Sequence, residues 1–194
     1  CKKPIAWFDN IPLLSFFVLG AKCRHCRKGI SWRYPAVELV SGLIWLFSWQ
    51  AYRGAPLFWF QTAFLTLLLL AAVIDLETGL IPDKVTLPGI AAGLAAGFFY
   101  PALHVKTTGL EGIFASGIGL LTGGGIIYIT GLAGNWIFQR ESMGGGDVKL
   151  LALIGAFLGW EKVLLTFFTA PMIALPFALY RRWFKKEEII AYGP

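Results

Sequence analysis

Charge is scarce in this chain: Asp, Glu, Lys and Arg make up 14% of its 194 residues, while 57% are hydrophobic. A soluble domain needs more polar side chains than that to cover its surface, so an ordinary water-soluble fold is excluded. Histidine is scarcer still. His25 and His104 are the only two and no HExxH pattern occurs, which leaves too few ligands for a histidine-rich metalloprotease centre. No GxSxG elbow is present and no Ser/Lys pairing suggests itself, so nucleophilic catalysis is the weaker class. No glycine-rich dinucleotide-type loop follows a predicted strand, and no secretory or transit pattern precedes the first basic residues.

What is present is a series of long apolar runs. Six candidate membrane spans fall at roughly 35–52, 57–74, 85–103, 112–138, 147–160 and 161–180, the fifth short by the usual 17–25-residue standard. The break expected between the last two is a tight hairpin at Gly159, Trp160, Glu161 and Lys162. The expected fold is therefore an all-α polytopic membrane helix bundle. Basic residues divide unevenly about these spans. Fourteen of the 17 Lys and Arg, among them Arg140, Lys149 and Lys186, fall on the side that holds both ends of the chain, against Arg53, Lys106 and Lys162 on the other. That asymmetry puts both ends in the cytoplasm. It also accounts for the net charge of +6, so anionic lipid headgroups are the expected partner of the basic rim and nucleic acid is not.

Residues 1–34 read as a separate cytoplasmic module ahead of a membrane domain at 35–194. The apolar stretch 11–19 is too short to span, and Cys1, Cys23 and Cys26 lie among Lys, Arg and turn residues. In a reducing compartment the Cys23-Arg24-His25-Cys26 knuckle favours a metal over a disulfide, and structural zinc takes four ligands. Three cysteines leave one ligand to His25 or to a residue outside this chain; unliganded cysteines in a basic loop are the alternative. The chain begins on Cys1 and stops at the turn-like Tyr192-Gly193-Pro194, which reads as a fragment.

Two aspartates carry the chemistry. Asp75 closes the apolar run 64–74, and Asp147 follows Gly144-Gly145-Gly146 and opens the run 148–160. A carboxylate at the edge of hydrocarbon is costly and marks a functional site by default. Two close carboxylates can share one proton, the ionised one activating water and the neutral one protonating a leaving nitrogen. Gly144 and Gly146 would let an extended substrate backbone approach. The rival is a transporter using intramembrane carboxylates, although such proteins are built from paired repeats and none is evident. Asp147 could also simply cap its helix, and Asp83 suits a cap or a turn.

Asp75-Leu76-Glu77-Thr78-Gly79-Leu80-Ile81-Pro82-Asp83 and Gly144-Gly145-Gly146-Asp147-Val148-Lys149-Leu150-Leu151 resemble the two signature segments of the bacterial type IV prepilin leader peptidases, aspartyl proteases of the GxGD type. Asp9-Asn10-Ile11-Pro12-Leu13-Leu14-Ser15, the cysteine knuckle and the segment from Ile30 to Leu39 look like the cytoplasmic domain of the bifunctional members. The resemblance implies that Asp75 and Asp147 are catalytic and that Asp83 is not. It implies cleavage of a basic leader from prepilins or pseudopilins, after a glycine, at the cytoplasmic face of the bacterial inner membrane. It implies methylation of the new amino terminus with S-adenosylmethionine. Zinc held by two CxxC pairs is implied as well, Cys1, Cys23 and Cys26 matching three of the four cysteines, and about eight spans in the full protein. The segment containing Ser31, Trp32, Arg33 and Glu38 is linked to methylation in the family; for Glu38 an ion pair with Arg33 is the structural alternative.

Overall fold

The computed structural model describes residues 3–139 and 143–185. Cys1, Lys2, Arg140, Lys186 and Tyr192-Gly193-Pro194, which all enter the sequence reading, lie outside them. Among the described residues the fold is helical, with a single isolated bridge between Lys22 and Gly29. The helices are α1 (Leu14–Val18), α2 (Arg33–Tyr52), α3 (Leu57–Thr78), α4 (Asp83–Phe99), α5 (Gly109–Phe138), α6 (Gly145–Leu158) and α7 (Trp160–Lys185). Contacts divide the chain into two compact units, Cys1–Phe58 and Trp59–Pro194.

In the first unit a 3-10 turn, Trp7–Asn10, and α1 precede a short ribbon that leads into α2. Phe16 is buried against Trp32, ring centroids 4.8 Å apart. Arg24 donates two 2.7 Å hydrogen bonds to the Asp9 carboxylate and lies over the Phe8 ring. Such a fork-to-fork pair fixes direction as well as distance. It ties the ribbon to the 3-10 turn.

In the second unit α6 is the central element, packed on α4, α5 and α7. Phe64 of α3, Ala96 of α4, and Leu153 and Phe157 of α6 form one buried cluster, with the Phe64 and Phe157 rings stacked at 4.7 Å. Ile127, Leu151 and Val163 join α5, α6 and α7 in a second. Close crossing of α5 and α6 depends on two glycines: a Cβ on Gly119 would strike the Gly155 carbonyl, and one on Gly155 the Gly119 carbonyl. Small residues bring backbones together in this way where lipid offers no hydrophobic drive between helices.

The expected apolar runs are all helical, with ends moved by local stereochemistry. α3 continues one turn past Asp75 to Thr78 and stops where Gly79 takes φ +67°, its N–H returning 2.8 Å to the Asp75 carbonyl. The hairpin expected over four residues is a break at one. Gly159, at φ +81°, ends α6, and Trp160, Glu161 and Lys162 already form the first turn of α7. Among the described residues two helices are long and apolar enough to cross a membrane, Leu57–Thr78 and Gly109–Ile137. α6 has 14 residues; at about 1.5 Å per residue it falls short of a hydrocarbon core of about 30 Å.

Candidate active site

Asp75 lies in the last turn of α3 at 7% exposure, and its Oδ2 has no hydrogen-bond partner among the described residues. A buried carboxylate oxygen without a partner is expensive, and native structures rarely keep one without a reason. Asp147 is the third residue of α6 and half-buried. Its N–H donates to the Gly144 carbonyl at 3.2 Å, and its carboxylate accepts the Gly144 N–H. Gly144, not Asp147, is the N-cap of α6, so the cap expected at Asp147 is displaced to the third helical position, where a carboxylate still suits the helix start. Asp75 and Asp147 stand within Coulombic reach of one another. Asp75 lies near the end of α3 and Asp147 near the start of α6, two helices distant in sequence that share a buried apolar cluster with α4.

The glycines around Asp147 have different surroundings. A Cβ on Gly144 would lie 3.5 Å from Asp147 Oδ2, and one on Gly145 would meet nothing within 4 Å. On Gly146 it would press on Ile81, 3.0 Å from that residue's Cβ and 3.4 Å from its carbonyl oxygen. The open side of Gly146 is therefore taken up by the connection between α3 and α4.

Asp83 departs from the expected cap. The N-cap of α4 is Pro82, no side chain caps that end, and Asp83 is the first helical residue. Its exposed carboxylate accepts a 2.5 Å ion-paired hydrogen bond from Lys149 Nζ. The sequence reading missed this role because the partners stand 66 residues apart. Two cues were nonetheless available, since each is a charged residue near the start of an apolar helix.

The amino-terminal candidates gather around a cleft of about 660 Å³ within the first unit, lined among others by Asp9, Cys23, Cys26, Ser31, Tyr34 and Glu38. Glu38 Oε2 accepts the Leu13 N–H at 2.8 Å, and Ser31 Oγ accepts the Arg33 N–H at 3.3 Å. Trp32 instead packs on Phe16 and Phe17. Cys23 and Cys26 sit at the tip of the ribbon, closed by Cys23 N–H to Lys28 O at 2.9 Å and Arg27 N–H to Cys23 O at 3.0 Å. Backbone N–H groups of Cys26 and then His25 point at the Cys23 sulfur and hold its thiol below the usual range. A thiolate stabilised by amides suits a metal ligand. Among the described residues, however, no third His, Cys, Asp or Glu joins them in a group that could hold a metal ion.

Comparison with known proteins covers both units. Residues 62–179 match the type IV leader peptidase family, and residues 1–52 match the bacterial peptidase A24 N-terminal domain. Among curated relatives, a prepilin leader peptidase/N-methyltransferase of Klebsiella pneumoniae is 39% identical over 84% of this chain and 68% of its own length. Proteins of the same name from Myxococcus xanthus and Stutzerimonas stutzeri are 36% and 34% identical, over 84% and 100% of this chain and 47% and 65% of their own lengths. The chain thus spans about half to two thirds of the length of these relatives. No solved structure matches.

Proposed function

Because the chain belongs to the type IV leader peptidase family, we propose that it carries the aspartyl endopeptidase site of a prepilin peptidase, with Asp75 and Asp147 as the catalytic pair. The reading rests on one observation above the others: within the segment that matches the family, the two carboxylates lie within Coulombic reach of one another, Asp75 in the last turn of α3 and Asp147 in the first turn of α6. One ionised carboxylate takes a proton from water as it attacks the scissile carbonyl. The other, neutral, protonates the departing amine. No covalent intermediate is needed. The substrate is a prepilin or pseudopilin with a basic leader, cut after a glycine, and its extended backbone enters past Gly144, with Gly146 shaping the floor of the approach.

We place the protein in the bacterial inner membrane as a multi-pass helix bundle, with both ends and the aspartates on the cytoplasmic side and residues 1–34 as a cytoplasmic module. Bound there, S-adenosylmethionine would supply the methyl group for the new amino terminus. The cleft of about 660 Å³ is of a size that suits a nucleoside-sized ligand. Ser31 and Glu38 would face it, and Trp32 and Arg33 would support the wall. Cys23 and Cys26, with Cys1, would contribute to structural zinc.

The test is leader cleavage of a co-expressed prepilin by the full-length protein, compared with Asp75→Asn and Asp147→Asn at equal membrane levels. Both variants should lose cleavage, by at least the ~10²-fold expected of a general acid or base. Cleavage retained by either would reject the assignment and favour transport through intramembrane carboxylates.

A further inference from the structure

The two signature segments touch each other at two points. Ile81 lies against Gly146, which immediately precedes Asp147. Lys149, two residues after Asp147, reaches Asp83 at the start of α4. Residues two apart on a helix point about 200° from one another. Lys149 therefore grips α4 on the flank away from Asp147 and leaves that carboxylate to its own site. On the other side, Asp83 is joined to Asp75 by a short path: the Gly79 turn, whose N–H is bonded to the Asp75 carbonyl, and then Leu80, Ile81 and Pro82.

We propose that Asp83 and Lys149, together with the Ile81–Gly146 contact, form a clasp that sets the separation of Asp75 and Asp147; Asp83 and Lys149 are positioning residues. The inference rests on the peptidase reading above. Below the site α4 and α6 are fixed by packing: a Cβ on Gly93 would lie 2.8 Å from the Ala156 Cβ. At the site itself their ends are held by the clasp, whose charged side chains are 56% and 39% exposed. An ion pair this exposed adds little to stability. Geometry at a reacting centre is far more sensitive, since a displacement of about 1 Å can lower a rate by ~10²-fold. Breaking the pair should therefore appear in kcat and hardly at all in unfolding temperature.

The experiment measures kcat and KM for prepilin cleavage by the full-length protein in detergent, with unfolding temperature, for Asp83→Asn, Lys149→Met and the exchanged pair Asp83→Lys with Lys149→Asp. Each single variant should lose about 10- to 100-fold in kcat at near-constant KM and unfolding temperature, and the exchange should recover most of the loss. Wild-type rates in either single variant overturn the clasp. So does a KM effect that the exchange fails to rescue, which would mean that Asp83 meets the basic leader directly. Asp75→Asn and Asp147→Asn are measured alongside: cleavage in those variants rejects the peptidase reading itself, whereas inactive aspartate variants with normal Asp83→Asn and Lys149→Met reject the clasp alone.

Discussion

Glu38 holds a strained backbone. Leu13 has φ +60° and ψ −51°, a conformation that side chains disfavour, and its N–H is tied to the Glu38 carboxylate 25 residues away. Such strain persists where the surroundings over-determine it, often beside a functional site. The hydrogen bond is thus at least part of why a carboxylate stands on the cleft wall. Substitution by Gln separates the two roles, because an amide oxygen still accepts the Leu13 N–H while the charge is lost. Glu38→Gln should abolish methylation of the cleaved pilin and leave leader cleavage intact, read by mass spectrometry of the mature amino terminus. Methylation retained in Gln but lost in Glu38→Leu would reduce Glu38 to the loop-holding role. Loss of both activities would place it in folding.

At the scale of the helices, the crossing of α5 on α6 decides where Asp147 stands. Gly119 and Gly155 put backbone on backbone there, and neither has room for a methyl group. Leu151, one turn before Gly155 on α6, lies in the cluster with Ile127 and Val163, so a displaced crossing disturbs that core too. Gly155→Leu should lower the unfolding temperature in detergent markedly, by an overpacking penalty of about 1–3 kcal/mol or more, and reduce cleavage with it. Gly117, on the facing helix α5, is the control, since a Cβ there would meet nothing within 4 Å. Gly117→Ala should be neutral or slightly stabilising, as Ala is the better helix former by about 1 kcal/mol. Equal loss in both variants would argue against a backbone crossing as the cause.

For the molecule as a whole, charge placement predicts which ends of the helices meet the cytoplasm. Lys106 and Lys162 flank the far connections, while Lys84 and Lys149 stand beside the aspartates. Lys106→Cys, made in a background with Cys1, Cys23 and Cys26 replaced by Ser, should be labelled by a membrane-impermeant maleimide in spheroplasts. Lys84→Cys should be labelled only after the membrane is opened. The opposite pattern would invert the topology and put the aspartates on the wrong face for a basic leader.

Much of this organisation was legible along the chain because it rests on local physics. Low charge and apolar length marked the helices, and Gly159 with its neighbours marked the break between two of them, because a glycine turn needs no distant partner to be recognised. Asp75 and Asp147 were conspicuous because a carboxylate beside hydrocarbon is costly wherever the chain later goes. What the sequence could not show is which residues meet across distance. The Asp83–Lys149 pair, Ile81 against Gly146 and Glu38 at Leu13 all join positions far apart in the chain. The small unit around the cysteines was the least legible, since a five-residue helix and a short ribbon carry almost no periodic signal. Composition and pattern by themselves determined the helical class, the apolar runs and the candidate carboxylates, each a property of a residue and its near neighbours. Only the tertiary structure decided how those carboxylates are held together, because that depends on backbones packing closely at glycines and on charges meeting between helices, and neither contact exists until the chain has folded.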